Sequence, residues 1–248
     1  MVSGKTLAAT AIILMAAMVI AAGCGTSGPS LTYDKSAKNP VIILRYQQAL
    51  APLYNPNAPA AIYYGDGTVV LKKGPYSYLS GKLAEGGLDE TLQTISDNGY
   101  FQMETKYSGT PTPGSKTSVL KVNLTEKSYE VTVESGASPK GWDEIMTAVT
   151  KPDLPKTTAY YPPSVHLHAT PFGAVEAGVT VKNWPTDAGD LAAVGKSSNG
   201  LKISGDEAEN AWKAIGGAVK STKEVFWKYK DNFYGNVYAA PIFTGVPE

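Results

Sequence analysis

The sequence predicts an α+β fold, mainly antiparallel sheet with about three helices, on three observations. Short β-rich runs sit close together across glycine turns, and three other stretches carry apolar residues at helical spacing. The composition is rich in turn formers and tyrosine, with Gly 25, Pro 17 and Tyr 15 among 248 residues. A hydrophobic share of 43% against 18% charged is enough to build a core.

Residues 41–46 are apolar on both faces, the pattern of a central strand. Residues 60–64 and 68–72 are β-rich and flank Gly65, Asp66 and Gly67, a strong short-range hairpin signal. A further strand is expected over 76–82. Leu88, Leu92 and Ile95 recur at helical spacing, and Asn98-Gly99 supplies the stop. Leu120, Val122 and Leu124 alternate with polar residues, as do Tyr129, Val131 and Val133, so the pair reads as a hairpin with one wet face. Ser138-Pro139 has the chemistry of a helix start, and Trp142, Ile145, Met146 and Val149 form the buried stripe of a second helix.

Residues 152–163 contain Pro152, Pro155, Pro162 and Pro163, which exclude a helix and predict an extended linker between an N-terminal part, 40–151, and a C-terminal part, 164–248. After it a strand is expected at 164–169, irregular chain at 171–200, and a third helix opened by a Ser204/Glu207 capping box with Ala208, Ala211, Trp212, Ile215 and Val219 inward. Two last strands, 224–230 and 236–242, should flank a turn at 231–235.

The N-terminus points to location. Lys5 precedes an unbroken small and apolar run over residues 7–22, followed by Gly23 and the single cysteine, Cys24. This resembles the lipobox signal of bacterial lipoproteins, with Ala21 where leucine is usual. The resemblance implies that residues 1–23 are a signal peptide and that Cys24 is cleaved free and carries a diacylglyceryl (palmitate-type) anchor. A plain N-terminal membrane helix and a secretory signal cut at an Ala-x-Ala site are the alternatives. Residues 24–39 lack apolar periodicity and are expected to act as a flexible tether.

Further motifs lie in the folded part: Asp66-Gly67 in its hairpin, Asn98-Gly99 before Tyr100-Phe101, Trp184-Pro185, Ile203 through Glu207, and Phe226-Trp227 with Tyr238 and Pro241. Together these resemble an uncharacterised, largely actinobacterial group of secreted proteins and lipoproteins. The resemblance implies the same layout and no particular chemistry.

Charge excludes one partner class. Lys and Arg number 22, as do Asp and Glu, so there is no basic excess for nucleic acid. With Cys24 acylated, neither a disulfide nor a free thiol is left. Gly23, Gly25 and Gly28 match a dinucleotide-loop pattern, but outside the strand-to-helix setting that the pattern needs. No nucleophile-elbow, zincin, P-loop or EF-hand motif occurs, and the paired carboxylates sit in first turns of predicted helices, where the dipole accounts for them.

Two candidate sites emerge. His166 and His168, the only histidines, lie two apart on a predicted strand and project from one face, where they could chelate a metal with Glu176, Asp187 or Asp190. Phe233 and Tyr234 fall in the predicted 231–235 turn and are the expected exposed aromatics for ligand binding, among C-terminal aromatics that are otherwise core. The expected role is therefore a non-enzymatic, lipid-anchored protein on the extracytoplasmic face of the cell membrane, binding or scaffolding an envelope protein or glycan, with no cofactor. The alternative is a ligand- or metal-binding accessory module using His166 and His168 or the C-terminal aromatics.

Overall fold

Ile42 and Leu44 leave one side of their strand and Ile43 the other, and all three are at most 1% exposed. A strand buried on both faces needs a cover on each side. The computed structural model, which describes residues 28–48, 58–110, 114–219 and 224–247, supplies both. The fold is α+β with mostly antiparallel strands, as the sequence predicts, with four helices among the described residues.

The first sheet contains β1 (Pro40–Gln48), β2 (Pro59–Tyr64), β3 (Thr68–Gly74), β4 (Ser77–Lys82), β5 (Lys106–Tyr107), β6 (Lys116–Asn123), β7 (Ser128–Val133) and β8 (Thr157–Tyr160). Its order is β5-β7-β6-β1-β2-β3-β4-β8, which places β1 near the middle. The β2–β3 hairpin closes as predicted: Gly67 takes φ +84°, and Asp66 Oδ1 accepts from the Thr68 amide at 2.9 Å.

One face of this sheet is covered by α1 (Gly87–Asp97) and α2 (Trp142–Thr150). Leu88, Leu92 and Ile95 of α1, and Trp142, Ile145 and Val149 of α2, are buried on Leu44, Tyr63, Leu120 and Val131. The Tyr63 hydroxyl donates to Val149 O at 2.8 Å, so a sheet residue satisfies a carbonyl in the last turn of α2. This helix begins later than Ser138-Pro139 suggests. Gly141 sits before it at φ +81°, where a Cβ would lie 2.4 Å from Asn98 O. Close approach to the end of α1, rather than a hydroxyl cap, sets that boundary.

The second sheet has the order β10-β12-β13-β9-β11, built from β9 (Ser164–Phe172), β10 (Thr180–Asn183), β11 (Leu201–Ser204), β12 (Val225–Tyr229) and β13 (Asn232–Ile242). The short α3 (Leu191–Val194) and α4 (Asp206–Val219) belong to it. The 171–200 stretch, expected to be irregular, thus contributes β10 and α3. Ser204 makes no capping box: its Oγ lies 2.8 Å from Ser164 Oγ, since it ends a strand paired with β9.

The two parts, 40–151 and 164–248, share one buried layer, in which Ile43, Ile62, Val70 and Tyr78 of the first sheet pack with Leu167, Trp212, Ala239 and Phe243. The predicted linker supplies β8, which pairs with β4 from Tyr78↔Tyr160 to Gly81↔Thr157. Its prolines flank the pairing segment and leave residues 157–160 free to extend the sheet.

The predicted tether also differs. Residues 1–27, which include the predicted signal and Cys24, lie outside the described residues. From residue 28 onward the chain is laid against the first sheet and α1, with Leu31 and Tyr33 half-buried on the core. The Tyr33 hydroxyl donates to Asp89 at 2.6 Å, the Thr125 amide to Thr32 O at 2.8 Å, and the Gly65 amide to Asn39 O at 3.0 Å. Two apolar side chains spaced by two and a backbone acceptor on each side make this a strap. Composition alone hides it, because so few of its residues are apolar.

Candidate functional site

The predicted aromatic pair does not lie in an exposed turn. The reversal between β12 and β13 occurs at Lys230 and Asp231, with Lys230 at φ +55°, so Phe233 and Tyr234 belong to a strand. Tyr234 is 3% exposed and packs inward beside Trp227, whereas Phe233 is half-buried opposite Phe172 on the outer face. The turn-like Gly235-Asn236 is a bulge, where the β13–β9 register shifts and Asn236 takes φ +47°.

His166 and His168 do share a face of β9, as the two-residue period requires. The expected third ligand is not with them. Asp190 instead accepts from the Ala192 and Ala193 amides at the start of α3 and pairs with Lys230. Lys202 stands opposite His166 on β11, and among the described residues no group of three or more His, Cys, Asp or Glu is placed to hold a metal. The His168 ring stacks on Tyr238, with centroids 4.5 Å apart and planes at 8°.

Burial, and secondarily the neighbouring His166, hold the His168 pKa below its ordinary value near 6.5. The folded state then binds that proton less well than the unfolded chain does. The contribution to stability is complete above pH 6.5 and falls as pH drops through and below 6.5. Thermal unfolding between pH 8 and 5 should show this decline, and His168→Phe, which keeps the stack, should flatten it. An unchanged slope in that variant would assign the effect elsewhere.

A different candidate is a groove at the end of the first sheet remote from the strap. Pro75, Tyr76 and Ser77 at the β3–β4 turn, Tyr161 after β8, and Trp212, Lys213, Gly216, Gly217 and Val219 of α4 line an open groove of about 570 Å³. Each wall has a local cause. Trp212 belongs to the inward stripe of α4 with Ala208, Ala211 and Ile215, and is 2% exposed. Tyr76 meets it edge-on at 4.8 Å and 63°, while the Tyr76 hydroxyl accepts from the Ala239 amide at 3.2 Å. The Lys213 ammonium stands 4.7 Å from the Tyr161 ring centroid and pairs with Glu209, whose hydrogen bond raises the lysine pKa. The floor thus holds aromatic carbon and the rim holds a cation.

Two adjacent glycines in the last turn of a 14-residue helix are unfavourable, by up to about 1 kcal/mol each relative to alanine. Their reasons differ. A Cβ at Gly216 would stand 3.0 Å from Tyr76 Cβ, so helix and turn meet there through a missing side chain. Among the described residues a Cβ at Gly217 would meet nothing within 4 Å, so the missing side chain leaves the groove open there. Val219, predicted to point inward, lies at the rim and is 44% exposed, and Ala218 is buried in its place.

Sequence reading identified Trp212 only as core. The Gly216-Gly217 pair within an amphipathic helix was the available signal of a close approach. Among the described residues no helix is long and apolar enough to cross a membrane. Comparison with protein-family models, curated proteins and solved structures finds no match to this chain.

Proposed function

We propose that this chain is a lipid-anchored, extracytoplasmic binding protein without catalytic activity, held through Cys24, whose groove at the end of α4 takes a segment of envelope glycan. The observation that carries the reading is the groove itself. Tyr76, Trp212 and Tyr161 line it with aromatic carbon that suits sugar C–H groups, Lys213 offers a donor at the rim, and Gly217 keeps the entrance clear. The N-terminal run and the lone cysteine after Gly23 support the location.

The decisive variant is Gly217→Gln. It replaces an exposed helix glycine by a better helix former, so the fold should gain about 0.5 kcal/mol while the side chain fills the groove. Beads carrying the parent should retain solubilised envelope glycan, and beads carrying Gly217→Gln at least tenfold less. Equal retention would rule out the groove. For the anchor, Cys24→Ser should leave the membrane fraction after alkaline extraction; if it stays, an uncleaved apolar helix holds the chain instead.

A further inference from the structure

The strap gives the molecule an orientation. Gly28, its first described residue, lies beside α1 and the 3-10 turn Tyr100–Gln102: a Cβ there would stand 3.8 Å from Ser96 Oγ and from Gln102 Nε2. The chain then passes Thr125 in the β6–β7 turn, Asp89 at the start of α1 and Gly65 in the β2–β3 turn before entering β1 at Pro40. All three turns or termini cluster at one end of the first sheet, since Pro40 pairs with Tyr64 and Ile42 with Val122. The groove lies at the other end, because β3 runs from Thr68, beside the strap, to Gly74, next to Tyr76. Nine residues of β1 separate the two ends by about 30 Å.

Cys24 is four residues before Gly28, a separation that extended chain covers in at most about 14 Å. A lipid on Cys24 is therefore on a short lead from one end of the first sheet. We propose that the end formed by the β6–β7 turn, the last turn of α1 and the Tyr100–Gln102 turn is the membrane-facing surface, resting at the phospholipid headgroups with the groove directed away. This rests on the lipid-anchor reading above. Exposed side chains at that end carry both signs, as with Asp97, Glu126 and Lys127, so lead length rather than charge sets the orientation. It should be the same on zwitterionic and anionic bilayers.

The test uses the full chain made in a lipoprotein-processing bacterium and reconstituted into phosphatidylcholine vesicles bearing a headgroup-linked acceptor dye. The chain has one cysteine, which acylation consumes, so a donor dye can be placed at Glu126→Cys or at Ser77→Cys alone. Energy transfer from position 126 should be at least twofold that from position 77, with or without phosphatidylglycerol. Equal or reversed transfer from a protein whose mass shows an acylated residue 24 overturns the orientation and leaves the anchor standing. An unacylated residue 24 overturns both.

Discussion

Replacing Trp212 by alanine is expected to destabilise the protein by about 3–5 kcal/mol, a large part of the net stability of an ordinary domain. Trp212 is the largest fully buried side chain, and it touches both layers: Tyr76 at 4.8 Å and Tyr78 at 5.9 Å come from the first sheet, while its own helix packs on β9, β11 and β13. The cavity would open between the sheets, where rigid strands on one side and a hydrogen-bonded turn on the other limit collapse. Because both sheets share that layer, urea unfolding should stay a single transition with a lowered midpoint. Two separated transitions, or a loss under about 1 kcal/mol, would mean that the sheets are stabilised independently.

Gly65→Ala should cost about 3 kcal/mol, or expel the strap and so limit the loss. A Cβ at Gly65 would lie 1.8 Å from Asp34 O, a backbone atom that cannot rotate away. The Gly65 amide also donates to Asn39 O, so displacement would break the contact that leads the strap into β1. Released, the strap would uncover the half-buried Leu31 and Tyr33. Faster amide exchange at Thr125, with the β-sheet signal intact, would report that release. Unchanged exchange and unchanged stability would show that the strap contributes nothing to the fold.

These two variants mark where local reading stops. The β2–β3 hairpin was legible because its cause is contained in three residues: Asp66 binds its own downstream amide, and Gly67 accepts a positive φ. The α1 stripe was legible because Leu88, Leu92 and Ile95 repeat at the helical period. Boundaries decided by a partner far along the chain were not. Gly141 starts α2 because Asn98 is near, and Ser204 forgoes a cap because Ser164 is opposite. Phe233 and Tyr234 were misplaced because Gly235-Asn236 has the chemistry of a turn and of a bulge alike, and only pairing with β9 distinguishes them.

By itself the sequence determined the α+β class, the strand and helix periods, an even balance of acidic and basic residues, and a signal-like N-terminus with one cysteine. Each is a property of composition or of neighbours within a few residues. The tertiary structure alone decided that the two halves share a core, that residues 157–160 join the first sheet, that the tether becomes a strap from residue 28, and that a groove opens between residues 75–77, 161 and 212–219. The reason is that these features are contacts between residues far apart along the chain, whose free energy appears only when apolar faces that no single element can cover are buried against each other.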